Sequence, residues 1–98
     1  MAIRFLSEAR AELEDAAHYY ERERAGLGGE FFAEIDAALA FIARFPEACP
    51  PCAHDCRRKK VHRFPYLLVF AVEDSGILIV AVMHGSREPG YWHMRASG

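Results

Sequence analysis

The stretch HGSREPGYWHMR, residues 84–95, gathers His84, Arg87, Tyr91, Trp92, His93 and Arg95 directly after the most apolar run of the chain. A histidine and an arginine placed together beside aromatic rings suit a site that holds an anion or moves a proton. A plainer reading makes Tyr91 and Trp92 a hydrophobic lid over the core, with Arg95 as a solvated end. Both readings stand on the residues alone.

RRKKVHRF, residues 57–64, is the second candidate. On a strand, period-two geometry places Arg58, Lys60 and His62 on one face, with Arg57, Lys59, Val61 and Arg63 on the other. Such a cationic strand can dock phosphates or carboxylates, giving affinity without sequence specificity. Lysines on an edge strand also discourage unwanted strand pairing, which is the structural alternative.

CPPCAHDC, residues 49–56, holds Cys49, Cys52, His54 and Cys56. Structural zinc sites take Cys and His in pairs drawn from separated segments, so that the metal ties the fold together. Four ligands crowded into one loop stiffened by Pro50 and Pro51 lack that arrangement. The loop reads as surface or partly buried, with reactive thiols and no metal or other cofactor. Asp and Glu are plentiful, but no pair has the setting of a catalytic dyad. GLGG, residues 26–29, lacks the flanking strand and Lys-Ser/Thr of a phosphate loop and reads as a turn.

These candidates need elements to position them. Ala2–Leu6 reads as a first strand, with Ser7 as the N-cap of the helix that follows. Ala9, Leu13, Ala16 or Ala17, and Tyr20 form its apolar stripe, with Glu12, Glu14, Asp15, Glu21 and Arg22 on the opposite side. Gly26, Gly28 and Gly29 end it. Phe32, Ile35, Leu39, Ile42 and Phe45 repeat the period in a second helix that Pro46 stops, which makes an αα-hairpin. Arg57–Phe64, Tyr66–Glu73 and Gly76–His84 then read as strands, the last two joined at EDSG as an antiparallel hairpin. The fold class is α+β: a β-α-α-β-β-β domain spanning residues 1–98, its αα-hairpin packed on one face of a mainly antiparallel sheet.

Composition bounds the role. With 98 residues, 52% of them hydrophobic, the chain is long enough for one packed domain and far from disordered composition. A net charge of −2 is unlike a generic nucleic-acid binder. Charge is divided, however: residues 1–48 carry five cations against ten anions, and residues 49–98 carry seven against four. One face therefore suits an acidic partner or a polyanion, with solvated surface charge as the plain alternative. The N-terminus lacks the pattern of a secretory signal, and ILIVAVM is far short of the roughly 20 residues that span a bilayer as a helix. An odd number of cysteines, three, is a poor basis for a disulfide framework. A soluble cytoplasmic protein with no membrane partner is expected.

Taken in order, YYERERAGLGGEFFAEI, VHRFPYLLVFAV and IVAVMHGSREPGYWHMR resemble the RelE/ParE toxin superfamily of bacterial type II toxin-antitoxin systems. The tail, with its H-x-x-R-x-P-x-x-W form, is most similar to the ParE-like, plasmid-stabilisation branch. The resemblance implies a toxin that arrests growth until a cognate antitoxin neutralises it, by binding and poisoning DNA gyrase. Arg87, Tyr91, Trp92 and Arg95 would then contact the target, and Arg58, Lys60, Arg63 and Arg87 the antitoxin's acidic side chains. The nuclease members of the superfamily imply an alternative, metal-independent cleavage of messenger RNA on the ribosome. There Arg63, His84, Arg87 and Tyr91, with Arg58, Lys60 and His93 nearby, would supply base, acid and phosphorane-stabilising cations. A scaffold that has lost toxicity and only binds antitoxin is the third reading.

Overall fold

The computed structural model describes residues 2–97, and side chains as far as Ala96. Strand β1, Ala2–Phe5, runs directly into helix α1, Ser7–Glu23. Ser7 is the first helical residue and not the cap: Leu6 holds the extended cap conformation, and the Ser7 hydroxyl donates to the Glu8 carboxylate at 3.3 Å. Ala9, Leu13, Ala16 and Ala17 are the buried stripe of α1.

Helix α2, Leu27–Arg44, begins five residues before the stripe expected from Phe32. Only Gly26, at φ 89°, makes the turn. Gly28 lies inside α2 and against α1, where a Cβ would come 2.8 Å from the Ala17 carbonyl oxygen. Across the same junction the Glu21 carboxylate accepts the N–H groups of Gly26 and Gly28 at 2.9 and 3.0 Å. It thereby satisfies amide groups that a helix start leaves unpaired. GLGG is thus one turn residue followed by the first turn of a helix. The stripe of α2 is Phe31, Ile35, Ala38 and Ile42, while Phe32 and Phe45 are exposed.

After a 3-10 turn at Pro46–Ala48 come β2, Arg57–Lys60, β3, Tyr66–Glu73, and β4, Gly76–His84. The sheet order is β1-β4-β3-β2. β1 is parallel to β4, and the other two pairings are antiparallel. β2 is four residues shorter than expected, because Arg63 at φ 71° turns the chain out of extended backbone. Val61 remains tied to the ladder through its N–H on the Tyr66 carbonyl.

Helices α1 and α2 cover one face of the sheet, over Leu68, Phe70, Ile77, Ile79 and Val82. The opposite face carries Val69, Val80, Ala81 and Met83 and is closed by Cys56 and Trp92, brought there by the loop before β2 and by the C-terminal segment. That segment ends in a short helix, α3, His93–Ser97. Closing a second sheet face with so few residues makes Trp92, 2% exposed, its main apolar cover.

Candidate functional site

β1 stops pairing with β4 at Ile79, so Val80 and Val82 would present unpaired edge groups. Two side chains from opposite ends of the sequence fill the gap. Glu12 of α1 accepts the Val82 N–H at 3.0 Å, and Arg95 of α3 donates to the Val80 carbonyl at 3.3 Å. The pair is also joined to itself, with Arg95 Nη1 and Nη2 donating to Glu12 Oε1 and Oε2 at 3.0 and 3.1 Å. Such a fork-to-fork contact is the strong geometry for a guanidinium and a carboxylate.

The Tyr91 hydroxyl donates to Glu12 Oε2 at 2.7 Å, and its ring is in reach of two guanidinium groups, Arg87 at 3.9 Å and Arg95 at 5.0 Å from the centroid. Burial and the Glu12 carboxylate push the Tyr91 phenol well above its usual value, so it stays neutral. Burial opposes ionisation of Glu12, but its hydrogen bonds from Arg95, Tyr91 and the Val82 N–H outweigh that and hold its carboxyl below the ordinary range.

Beside this latch lies an open concavity of about 310 Å³, lined by Glu12, Asp15, Tyr19, Tyr66, His84 and Arg87. Tyr66 and His84 are register partners at the ends of β3 and β4, with rings 5.1 Å apart, edge to face. His84 Nδ1 faces the Ser86 backbone N–H at 3.0 Å and its hydroxyl at 2.8 Å. A backbone N–H can only donate, so Nδ1 is the acceptor and Nε2 carries the proton. Arg87 is exposed.

The basic strand divides its charges. Arg57 donates to the Cys49 carbonyl at 2.7 Å, and the Lys59 ammonium sits 4.6 Å from the Phe41 ring centroid, so both are used within the fold. Arg58 and Lys60 are exposed on the other face. Arg63 donates to Glu30 at 2.8 Å and lies 3.6 Å from Glu34, both on α2.

Among the expected site residues, then, the geometry brings together His84, Arg87, Tyr91 and Arg95 and sends Arg63 to α2. The expected four-residue contact surface is reduced to one exposed member, because Trp92 is buried, Tyr91 is held by Glu12, and Arg95 is held by Glu12 and the β4 edge. His93 stacks with His54, ring centroids 4.6 Å apart, away from the concavity. Glu12 was expected on the solvent side of α1. Its place was readable, since Glu12 stands three residues after Ala9 and four before Ala16, at the margin of the buried stripe. Burial pushes the thiols of Cys49, Cys52 and Cys56 above the usual value, so less of each is thiolate at neutral pH than an exposed thiol would be. Among the described residues no group of three His, Cys, Asp or Glu side chains converges as a metal would need.

A four-stranded sheet with an αα-hairpin on one face, and a latched C-terminal segment beside a His-Arg concavity, defines a small α+β domain. Residues 3–89 match the family model for the ParE toxin of the type II toxin-antitoxin system parDE, and the chain belongs to that family. Among solved structures it is similar to a chain of the chromosomal ParDE toxin-antitoxin system from P. aeruginosa. That match has 17% identity and a TM-score of 0.71, and covers 86% of this chain and 95% of the other. No curated protein matches the chain by sequence.

Proposed function

We propose that this ParE-family toxin arrests growth by binding DNA gyrase, with Arg87 as an exposed contact, and that a cognate antitoxin neutralises it. The observation that carries binding over RNA cleavage is that three of the four nuclease candidates have their reacting groups engaged within the fold. Arg63 is spent on Glu30 and Glu34, the Tyr91 hydroxyl on Glu12, and the Nδ1 lone pair of His84 on Ser86. Glu12 and Asp15 also line the concavity that holds His84 and Arg87, which opposes the approach of a phosphate. Membership of the ParE family supports gyrase as the target.

The antitoxin reading rests on the β2 edge. A groove of about 300 Å³ there is lined by Phe41, Pro50 and Leu67 with Arg58, Lys59 and Lys60. An amphipathic or extended segment can lay apolar side chains on that floor while its carboxylates meet Arg58 and Lys60. Arg87 follows β4, which β3 separates from β2, and suits a second, separate contact.

Induced expression of the chain in bacteria tests the reading. Loss of colonies with a DNA-damage response and intact transcripts is expected. Killing with transcripts cut in translated frames would make the chain a nuclease, and unimpaired growth would make it an antitoxin-binding scaffold.

A further inference from the structure

The loop before β2 is a small hairpin. Pro51 and Arg57 form an antiparallel bridge, the Arg58 N–H donates to the Pro50 carbonyl at 3.0 Å, and the Cys52 N–H donates to the Cys56 carbonyl at 2.8 Å. Continuing that register by one step sets Cys52 directly opposite Cys56. The turn between them is Ala53, His54 and Asp55, with His54 and Asp55 at φ 57° and 58°. The Cys56 N–H turns instead to the Ala53 carbonyl at 3.1 Å, so Cys52 and Cys56 are the closing pair of the turn, sharing one ladder bond; facing residues of such a ladder have Cα atoms about 5.5 Å apart and side chains on one face. A disulfide requires roughly 4.4–6.8 Å.

Packing agrees with the register. Cys56 is buried in the cluster on the sheet face away from the helices, and Cys52 packs against the same cluster. Cys49 belongs to the opposite, helix-side core, its thiol 3.9 Å from the Phe45 carbonyl. The odd cysteine is thus separated from the pair by the sheet.

We propose that Cys52 and Cys56 form a reversible redox modification site, closed to a disulfide by a low-molecular-weight disulfide such as oxidised glutathione, with Cys49 left as a thiol. The Cys52 thiolate, the more accessible, attacks one glutathione sulfur and releases one glutathione thiolate. The Cys56 thiolate then attacks the Cys52 sulfur of the mixed disulfide and releases the second. Two protein thiols become one protein disulfide, and one oxidised glutathione becomes two reduced. The bond closes the turn carrying His54, whose ring meets Trp92 and His93 edge to face with centroids 6.1 and 4.6 Å apart, and so fixes the loop against the C-terminal segment. Burial of both thiols makes the exchange slow near neutral pH and faster as pH rises.

The test is native oxidation of the whole chain with oxidised glutathione at mildly alkaline pH, followed by intact mass and peptide mapping. Expected are a loss of about 2 Da, for two hydrogens, a 52–56 cross-link with Cys49 still alkylatable, and reversal by dithiothreitol. A Cys49→Ser variant should behave identically. A stable glutathione adduct on Cys52 without cross-linking, a bridge that includes Cys49, or three free thiols after prolonged oxidation would each overturn the proposal.

Discussion

Glu12 and Arg95, 83 positions apart, meet through two parallel N–H···O contacts of 3.0 and 3.1 Å and together complete the edge of β4 that β1 leaves open. The relationship makes the C-terminal segment part of the fold. Side chains here are 17% and 19% exposed, so solvent screens the pair only in part. Glu12→Gln removes a charge-assisted fork and should cost about 1–3 kcal/mol. Amide exchange should accelerate at Val82 and across residues 91–96 well before the strands of the sheet, and denaturant melts of the variant and wild type give the size.

The same carboxylate predicts an acid response. Its folded-state pKa lies below its unfolded value, which for glutamate is about 4.3. Glu12 therefore contributes its full stabilisation above that value, and loses it as pH falls through the lower folded-state value. Trp92 is the only tryptophan and lies in the segment that Glu12 holds. Its fluorescence should change on acidification below about pH 4, and in Glu12→Gln the acid-dependent part should be absent.

The two glycines after the turn should answer oppositely. Gly28→Ala drives a Cβ to 2.8 Å from the Ala17 backbone oxygen and should destabilise by about 1–3 kcal/mol. At Gly29 nothing lies within 4 Å of an added Cβ, so Gly29→Ala should be neutral or gain up to about 1 kcal/mol from helix propensity. Thermal melts of both variants check the helix junction directly.

Arg87 and Trp92 should separate function from folding. Trp92→Ala opens the second sheet face and should cost about 3–5 kcal/mol, so any lost toxicity tracks lost folded protein. Arg87→Glu leaves the core untouched. It gives up the contact with the Tyr91 ring and sets a carboxylate beside Glu12 and Asp15, so it should melt slightly earlier, by about 1 kcal/mol, yet stay folded while losing growth arrest, and circular dichroism with colony counts on both variants reads the difference.

At the β2 edge proposed for the antitoxin, reversing Arg58 and Lys60 to glutamate should weaken the complex at least tenfold, and the loss should shrink as salt is raised. Arg63→Ala instead releases Glu30 and Glu34 on α2 and should leave affinity nearly unchanged. Titration calorimetry at two salt concentrations distinguishes the two positions.

How far the sequence could be read follows from what is periodic. Tyr66–Glu73 and Gly76–His84 were legible to the residue, because β-rich runs bracket a turn signal. The αα-hairpin was legible, but not its junction: glycines serve turns and close helix contacts alike, and only the position of Ala17 shows that Gly28 is the latter. Ile35 and Ile42 of the expected α2 stripe are buried and Leu39 packs against the core, but exposed Phe32 and Phe45 fit a 3.6-residue period as well as buried Phe31 and Ala38 do, so the period alone does not separate them. The sequence leaves Trp92 open as a hydrophobic lid or a target contact and Arg95 as a solvated end or a target contact, because an aromatic and a cation beyond a strand carry no mark of burial. Their partners, Glu12 and the β4 edge, lie up to 83 residues away, and no local pattern connects them.

The central claim is poisoning of gyrase by binding. The most direct measurement adds purified toxin to purified DNA gyrase with relaxed plasmid and follows supercoiling and gyrase-dependent DNA cleavage, with Arg87→Glu as control. The account predicts falling supercoiling and accumulating cleaved DNA with wild type, and neither with the variant. Unchanged supercoiling and cleavage at saturating folded toxin would contradict it.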